Sequence, residues 1–200
     1  MNQILPGLYV GSLFDALCES KLEKYEITHI VSVHDGARKF STQRPQLVIK
    51  VSDTHNEDMV KLIPVVNDFV HQARCNGGSV LIHCLLGISR SVTLVVAYIM
   101  TVTSFGWRHS LNIVRSARHK ANPNIGFKKQ LQLFENAMLE NERTRLKQKF
   151  AEQSLLIDDE RHCRRLLDSY HRWIQFGDRL CDEQEAIFVQ KLADAAEVPV

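Results

Sequence analysis

His83-Cys84-Leu85-Leu86-Gly87-Ile88-Ser89-Arg90-Ser91 is the stretch that decides how this 200-residue chain is read. A cysteine and an arginine stand six positions apart, with a glycine between them. Ser79-Val80-Leu81-Ile82, just before, has the pattern of a short buried strand. Val92 to Met100, just after, is apolar at helical spacing and predicts a buried helix. The nine residues therefore form a strand-loop-helix turn. Such a turn aims several backbone N–H groups at one point, and the helix N-terminus adds partial positive charge. That is an anion site. A phosphate bound by the backbone of Leu85, Leu86, Gly87, Ile88 and Ser89 would have Cys84 beneath it. Arg90 would grip two of its oxygens through the planar guanidinium fork. The same field favours thiolate over thiol, which makes Cys84 a nucleophile near neutral pH. The other cysteines, Cys18, Cys75, Cys163 and Cys181, have no arginine six positions on.

These residues resemble the signature loop of the protein tyrosine phosphatase superfamily. Ser89 and the compact length point to its dual-specificity branch. The resemblance runs from about Ile4 to about Leu139. Ile4-Leu5-Pro6-Gly7-Leu8-Tyr9-Val10-Gly11 is similar to the opening strand and turn of these domains. Asn122-Pro123-Asn124-Ile125-Gly126-Phe127, followed by Gln130-Leu131, is similar to their late signature. Thr101-Val102-Thr103 and Gly106-Trp107 resemble the small atypical members. The resemblance implies an α/β fold, with a central, mostly parallel sheet flanked by helices. It also implies hydrolysis of phosphotyrosine and phosphoserine or phosphothreonine on proteins through a cysteinyl-phosphate intermediate, in kinase signalling of the MAPK/JNK type.

A cysteinyl-phosphate route must protonate the leaving oxygen, which calls for a carboxylic acid near the loop. Asp53 follows the strand-like run Leu47-Val48-Ile49-Lys50-Val51, and the resemblance places the acid there. Ser52-Asp53-Thr54 also reads as a turn or helix cap, and Glu57 and Asp58 are rivals for the acid role. Ser91 matches the family residue that donates to the departing thiolate, although a serine there also suits a first helical turn. By resemblance His83 hydrogen-bonds locally and does not act as a general base, and Asn124 supports the loop from behind. Leu86 stands where the family often has a small residue or a glutamate, and it is expected to grease the pocket rim. Positions 85 to 88 carry no lysine, which argues against a multiply charged lipid headgroup.

Two other functions compete. A non-catalytic phospho-binding module would be expected to lack Cys84, Arg90 or the acid, and none is missing. A phosphatase of a lipid or of an RNA 5′ end would be expected to show more positive charge in the loop. The net charge of +2 is too small to argue for nucleic acid. There is no CxxC pair and no HExxH, so neither a metal nor another cofactor is expected. No run of 18 apolar residues and no signal-peptide pattern is present, and five cysteines with one catalytic suit a reducing compartment. A monomer in the cytoplasm and also in the nucleus is the expectation. Asn2 replaces the glycine that N-myristoylation needs, so the chain as it stands is not expected to be myristoylated.

Further strands and helices follow from periodicity. Ile27 to Val33 predicts a buried strand. Leu62 to Arg74 predicts a helix, with Pro64 in its first turn. Trp107 to His119 and Phe127 to about Gln148 predict two more helices. The catalytic domain is expected to span residues 1–140, and 141–200 to be a charged, helical extension. There, Cys163, Leu166, Leu167, Tyr170, Trp173 and Ile174 share one helical face flanked by Arg161, Arg164, Arg165 and Arg172. The face fits either a helix packed on its own domain or a peripheral membrane or partner contact. Amphipathic stripes usually mean core, which favours the first.

Overall fold

The computed structural model describes residues 1–150 and 154–176. Five strands form one sheet: β1 (Asn2–Leu5), β2 (Leu8–Ser12), β3 (Ile27–Val33), β4 (Gln46–Ile49) and β5 (Ser79–Cys84), in the spatial order β1-β2-β5-β3-β4. Only the β1–β2 hairpin is antiparallel; β2, β5, β3 and β4 run parallel. The expected α/β fold with a mostly parallel sheet is therefore what forms. β5 lies in the middle, and its residues from Val80 to Cys84 are all buried, as befits a strand covered on both faces. Parallel strands place their C-terminal ends on one edge, so the loops after β3, β4 and β5 meet there.

Eight helices surround the sheet among the described residues: α1 (Leu13–Leu17), α2 (Glu19–Lys24), α3 (Ile63–Cys75), α4 (Arg90–Val102), α5 (Trp107–Ala117), α6 (Ile125–Ala137), α7 (Leu139–Lys149) and α8 (Ser154–Phe176). Every residue of α4 is buried, because α3, α5, α6 and α7 all pack around it. This is why Val92 to Met100 is apolar on every side. At roughly 1.5–3 kcal/mol for each fully buried large side chain, α4 is the main hydrophobic support of the loop it follows.

Two expectations need correction. The continuous pattern from Phe127 to Gln148 is two helices. The chain turns at Met138 (φ −130°, ψ −19°), with no glycine or proline to signal it. The turn lets Leu139 and Leu146 reach the core that Phe127, Leu131 and Phe134 already occupy. The short helices α1 and α2 are too brief to show periodicity and were not expected at all.

The stripe on α8 packs against α5, with further contacts to α4 and β1. Cys163, Leu167 and Tyr170 are buried, Leu166 and Trp173 half-buried, and Ile174 exposed. Asp159 fastens α8 to α3: its two carboxylate oxygens accept from Arg74 Nη1 and Nη2 at 2.7 and 2.6 Å, with both side chains 1% exposed. Arg74 also donates to the Pro6 carbonyl and to the Tyr98 hydroxyl, at 2.9 Å each. One buried guanidinium thus joins the hairpin turn, α3, α4 and α8. The remainder of the expected extension, residues 177–200 with Cys181, lies outside the described residues.

Candidate active site

The loop from Cys84 to Ser89 leaves the end of β5, and its shape follows from where its carbonyls go. The Leu85 oxygen accepts from the Leu13 N–H (3.1 Å) and the Ile88 oxygen from the Asn122 N–H (2.9 Å). The Leu86 oxygen accepts from Arg118 Nη2 (3.0 Å) and the Gly87 oxygen from Arg118 Nε (2.6 Å). Ser89 gives its oxygen to Thr93 in the first turn of α4. With the carbonyls held from outside, the N–H groups face inward, and that of Gly87 lies 3.2 Å from Cys84 Sγ. Gly87 has φ +67°, and a Cβ there would collide with the Gly11 carbonyl, so the turn requires glycine.

α4 starts directly behind this loop without a side-chain cap. Its N-cap residue is Ser89, but the Ser89 hydroxyl is turned to Asp53 Oδ1 at 2.6 Å. The first turn of α4 therefore has no side-chain cap, and its Ser91 N–H turns to Cys84, the arrangement expected of a helix N-terminus that favours negative charge.

Cys84 is 2% exposed. Burial pushes its thiol up. Hydrogen bonds from Ser91 Oγ, at 3.3 Å, and from the Ser91, Ile88 and Gly87 N–H groups outweigh that, and the thiol lies below its ordinary value. Ser91 sits in the first turn of α4, so it fills both the helical place and the thiolate-facing one. His83 is fully buried. Its Nε2 lies 2.7 Å from Ser32 Oγ and its Nδ1 3.2 Å from the Cys84 carbonyl. Burial pushes the imidazole down to about 4, so it is neutral at working pH and suited to holding the strand end.

Arg90 is 5% exposed and fixed by one edge of its fork. Nη1 donates to Asp35 Oδ1 at 2.9 Å and to the Val51 carbonyl at 3.1 Å. Nε is buried without a hydrogen-bond partner, and Asp53 Oδ2 stands 3.7 Å from it. A buried donor left unpaired costs about 1–3 kcal/mol unless something accepts from it. An anion held in the loop would supply such an acceptor.

Asp53 is brought to this cluster and its rivals are not. Its Oδ1 accepts from Ser89 Oγ and, at 2.9 Å, from Asn124 Nδ2. Glu57 instead accepts from the Ser52 N–H at 3.2 Å, and Asp58 from the Lys61 N–H at 3.3 Å at the start of the 3-10 turn Val60–Leu62. Asn124 does three things at once. It caps α6 through Phe127 N–H (3.0 Å), holds Asp53, and donates its own N–H to Ser89 Oγ at 3.1 Å. Gly126 lets this corner close, since a Cβ there would come within 2.6 Å of His55 Cα.

Cys84, Arg90, Ser91, Asp53, Asn124, His83 and the loop are thus gathered at one sheet edge. Arg118, Asp35 and Ser32 join them without having been foreseen. Arg118 reads as an ordinary basic residue at a helix end, and Asp35 as a turn residue after β3; nothing local marks either. Among the described residues, no group of three or more His, Cys, Asp or Glu is placed to hold a metal ion.

A model of the dual specificity phosphatase catalytic domain matches residues 8–137. The chain belongs to the dual specificity phosphatase family. It is 46% identical over 155 residues to human dual specificity protein phosphatase 22, covering 78% of this chain and 84% of that one. It is 41% identical over 167 residues to mouse dual specificity protein phosphatase 15, covering 84% and 70%. The solved structure of DUSP15 superimposes with a TM-score of 0.73 at 40% identity, over 76% of this chain and 97% of that one. This dual specificity phosphatase is accordingly a protein tyrosine/serine/threonine phosphatase, a hydrolase of phosphoproteins. No helix among its described residues is long and apolar enough to cross a membrane.

Proposed function

We propose that the phosphatase works through a cysteinyl-phosphate formed on Cys84. The observation that carries the reading is the paired arrangement of Cys84 and Arg90. The first is a thiol held low by inward N–H groups and Ser91, and the second a buried fork whose Nε makes no hydrogen bond and faces the Asp53 carboxylate. The phosphate lies in the loop of Leu85, Leu86, Gly87, Ile88 and Ser89. Arg90 takes two of its oxygens, and the Cys84 thiolate attacks phosphorus in line with the ester oxygen. Asp53 hands its proton to that oxygen as the P–O bond breaks, which leaves a phosphorus–sulfur bond. Water then attacks the intermediate, deprotonated by the Asp53 carboxylate. Ser91 donates to the leaving thiolate, and phosphate departs. His83 and Asn124 position these groups.

The substrates fit kinase signalling of the MAPK/JNK type. The chemistry resides in residues 1–140, and the helices beyond brace it. A monomer in the cytoplasm and nucleus agrees with this reading. A helix α8 whose buried side chains are spent on α5 favours bracing over membrane contact.

The test is turnover of phosphotyrosine and phosphothreonine peptides by the purified chain and by Cys84→Ser. The wild type should release phosphate from peptides, and Cys84→Ser should release none while still binding vanadate. Turnover by Cys84→Ser overturns the mechanism. Activity on phosphoinositides or RNA 5′ ends with none on peptides would overturn the assigned substrate class.

A further inference from the structure

Several exposed apolar side chains lie on the segments that border the cradle, and the mechanism uses none of them. Eleven large apolar side chains are exposed among the described residues, and five of them lie on α1, the loop after β5 or the start of α6: Phe14, Leu17, Leu85, Leu86 and Ile125. Phe14 is 79% exposed and Leu17 60% exposed. They lie three residues apart on α1, while Asp15 and Ala16 between them face inward. α1 is tied to the loop: Ser12 pairs with Cys84 across β2 and β5, and the Leu13 N–H donates to the Leu85 carbonyl. Leu85 and Leu86 follow the nucleophile directly. Ile125, 66% exposed, adjoins Asn124 on the Asp53 side. Single exposed apolar residues need no explanation, but a group of this kind around a catalytic pocket marks a recognition surface.

We propose that Phe14 and Leu17, continuous with Leu85 and Leu86, form a docking surface for apolar residues flanking the phosphorylated residue of a protein substrate. The inference rests on the protein phosphatase reading above. The occupant is set by continuity with the cradle. A phosphate over Cys84 fixes one residue of the substrate, so its neighbours must cross the surrounding surface. Extended peptide advances about 3.3 Å per residue, so residues one to three positions away stay within about 10 Å of the phosphate. A lipid headgroup is the poorer occupant, because positions 85 to 88 offer it no cation.

The experiment compares the whole chain with Phe14→Ser/Leu17→Ser on three kinds of substrate. These are p-nitrophenyl phosphate, phosphopeptides with Leu, Ile or Phe on both sides of the phosphorylated residue, and the same peptides with Ser or Gly there. The wild type should prefer the apolar flanks. The double variant should lose about tenfold in kcat/KM on them, the scale of a few methylenes in an apolar contact, and stay within about twofold on the other two substrates. Equal loss on all three, or none, overturns the proposal. So does a wild type indifferent to flanking residues, which leaves the phosphatase reading standing. A wild type active on p-nitrophenyl phosphate but on no phosphopeptide overturns both readings. Two further results would assign the surface to another occupant and overturn the proposal. One is loss confined to phosphoinositide vesicles; the other is wild-type self-association in sedimentation that the double variant abolishes.

Discussion

Arg118 reaches from the end of α5 to donate Nε to the Gly87 carbonyl at 2.6 Å, 31 residues away in sequence. Its Nη2 takes the Leu86 carbonyl, and its Nη1 takes Asn2 Oδ1 at 2.6 Å. This one side chain thus occupies two of the loop carbonyls, on the side opposite the inward-facing N–H groups. The expectation is that Arg118 positions the loop, and that its removal frees the Leu86 and Gly87 peptides to turn.

Arg118→Ala should lose at least about tenfold in kcat/KM, since leaving a buried carbonyl unpaired costs about 1–3 kcal/mol and 1.4 kcal/mol is tenfold. Vanadate affinity should fall in parallel, because the lost feature is the anion cradle. Arg118→Lys should recover little, as a point charge cannot serve two carbonyls at once. Calorimetric titration with vanadate checks this; unchanged affinity in Arg118→Ala would remove the residue from the cradle.

The Ser91 hydroxyl is one of the groups that hold the Cys84 thiol below its ordinary value. Removing it raises the thiol pKa. The folded group in Ser91→Ala then becomes thiolate only at higher pH. The rising, low-pH limb of kcat/KM should move to higher pH, and iodoacetate should label Cys84 more slowly at any pH on that limb. A limb that stays in place would mean the backbone N–H groups alone set the thiolate.

Asp53→Asn keeps an acceptor for Ser89 and Asn124 but has no proton to give. Its kcat on a phosphopeptide should fall about 100-fold, the usual scale of a general acid. Glu57→Gln and Asp58→Asn, whose carboxylates serve backbone N–H groups elsewhere, should keep nearly full kcat on the same phosphopeptide. If kcat falls about 100-fold in one of them instead, the acid is that residue. The substrate should be a phosphopeptide, because p-nitrophenolate leaves readily without a proton.

Asp159→Ala leaves the Arg74 guanidinium buried and unpaired. A broken buried pair costs about 3–5 kcal/mol, so urea unfolding should show a large drop in midpoint. Replacing both partners, as Arg74→Met with Asp159→Leu, should recover much of the loss, since the penalty belongs to the orphaned charge. A midpoint unmoved in Asp159→Ala would show that α8 is not fastened through this pair.

The strands and long helices were legible because burial writes itself into local periodicity. Ile27 to Val33 is β3 residue for residue, and the buried run after Arg90 is α4. The break at Met138 was not legible. What turns the chain there is the packing of Leu139 and Leu146 on a distant core, and no local residue announces it. α1 and α2, at five and six residues, are too short for a helical period to register.

For the site the division falls in the same place. Cys84, Arg90, Ser91 and the loop between them lie within eight consecutive residues, so the sequence alone could single them out as a candidate anion site. Strand, tight turn and helix start are short-range features, and the chemistry is built from them. That Asp53, and not Glu57 or Asp58, stands beside Ser89 and Asn124 was decided by the fold. Arg118 on the loop carbonyls, Asp35 on the Arg90 fork and Asp159 on Arg74 came only from the tertiary structure. Each joins segments at least 31 residues apart, and a hydrogen bond closed across that span leaves no mark on the neighbours of either partner.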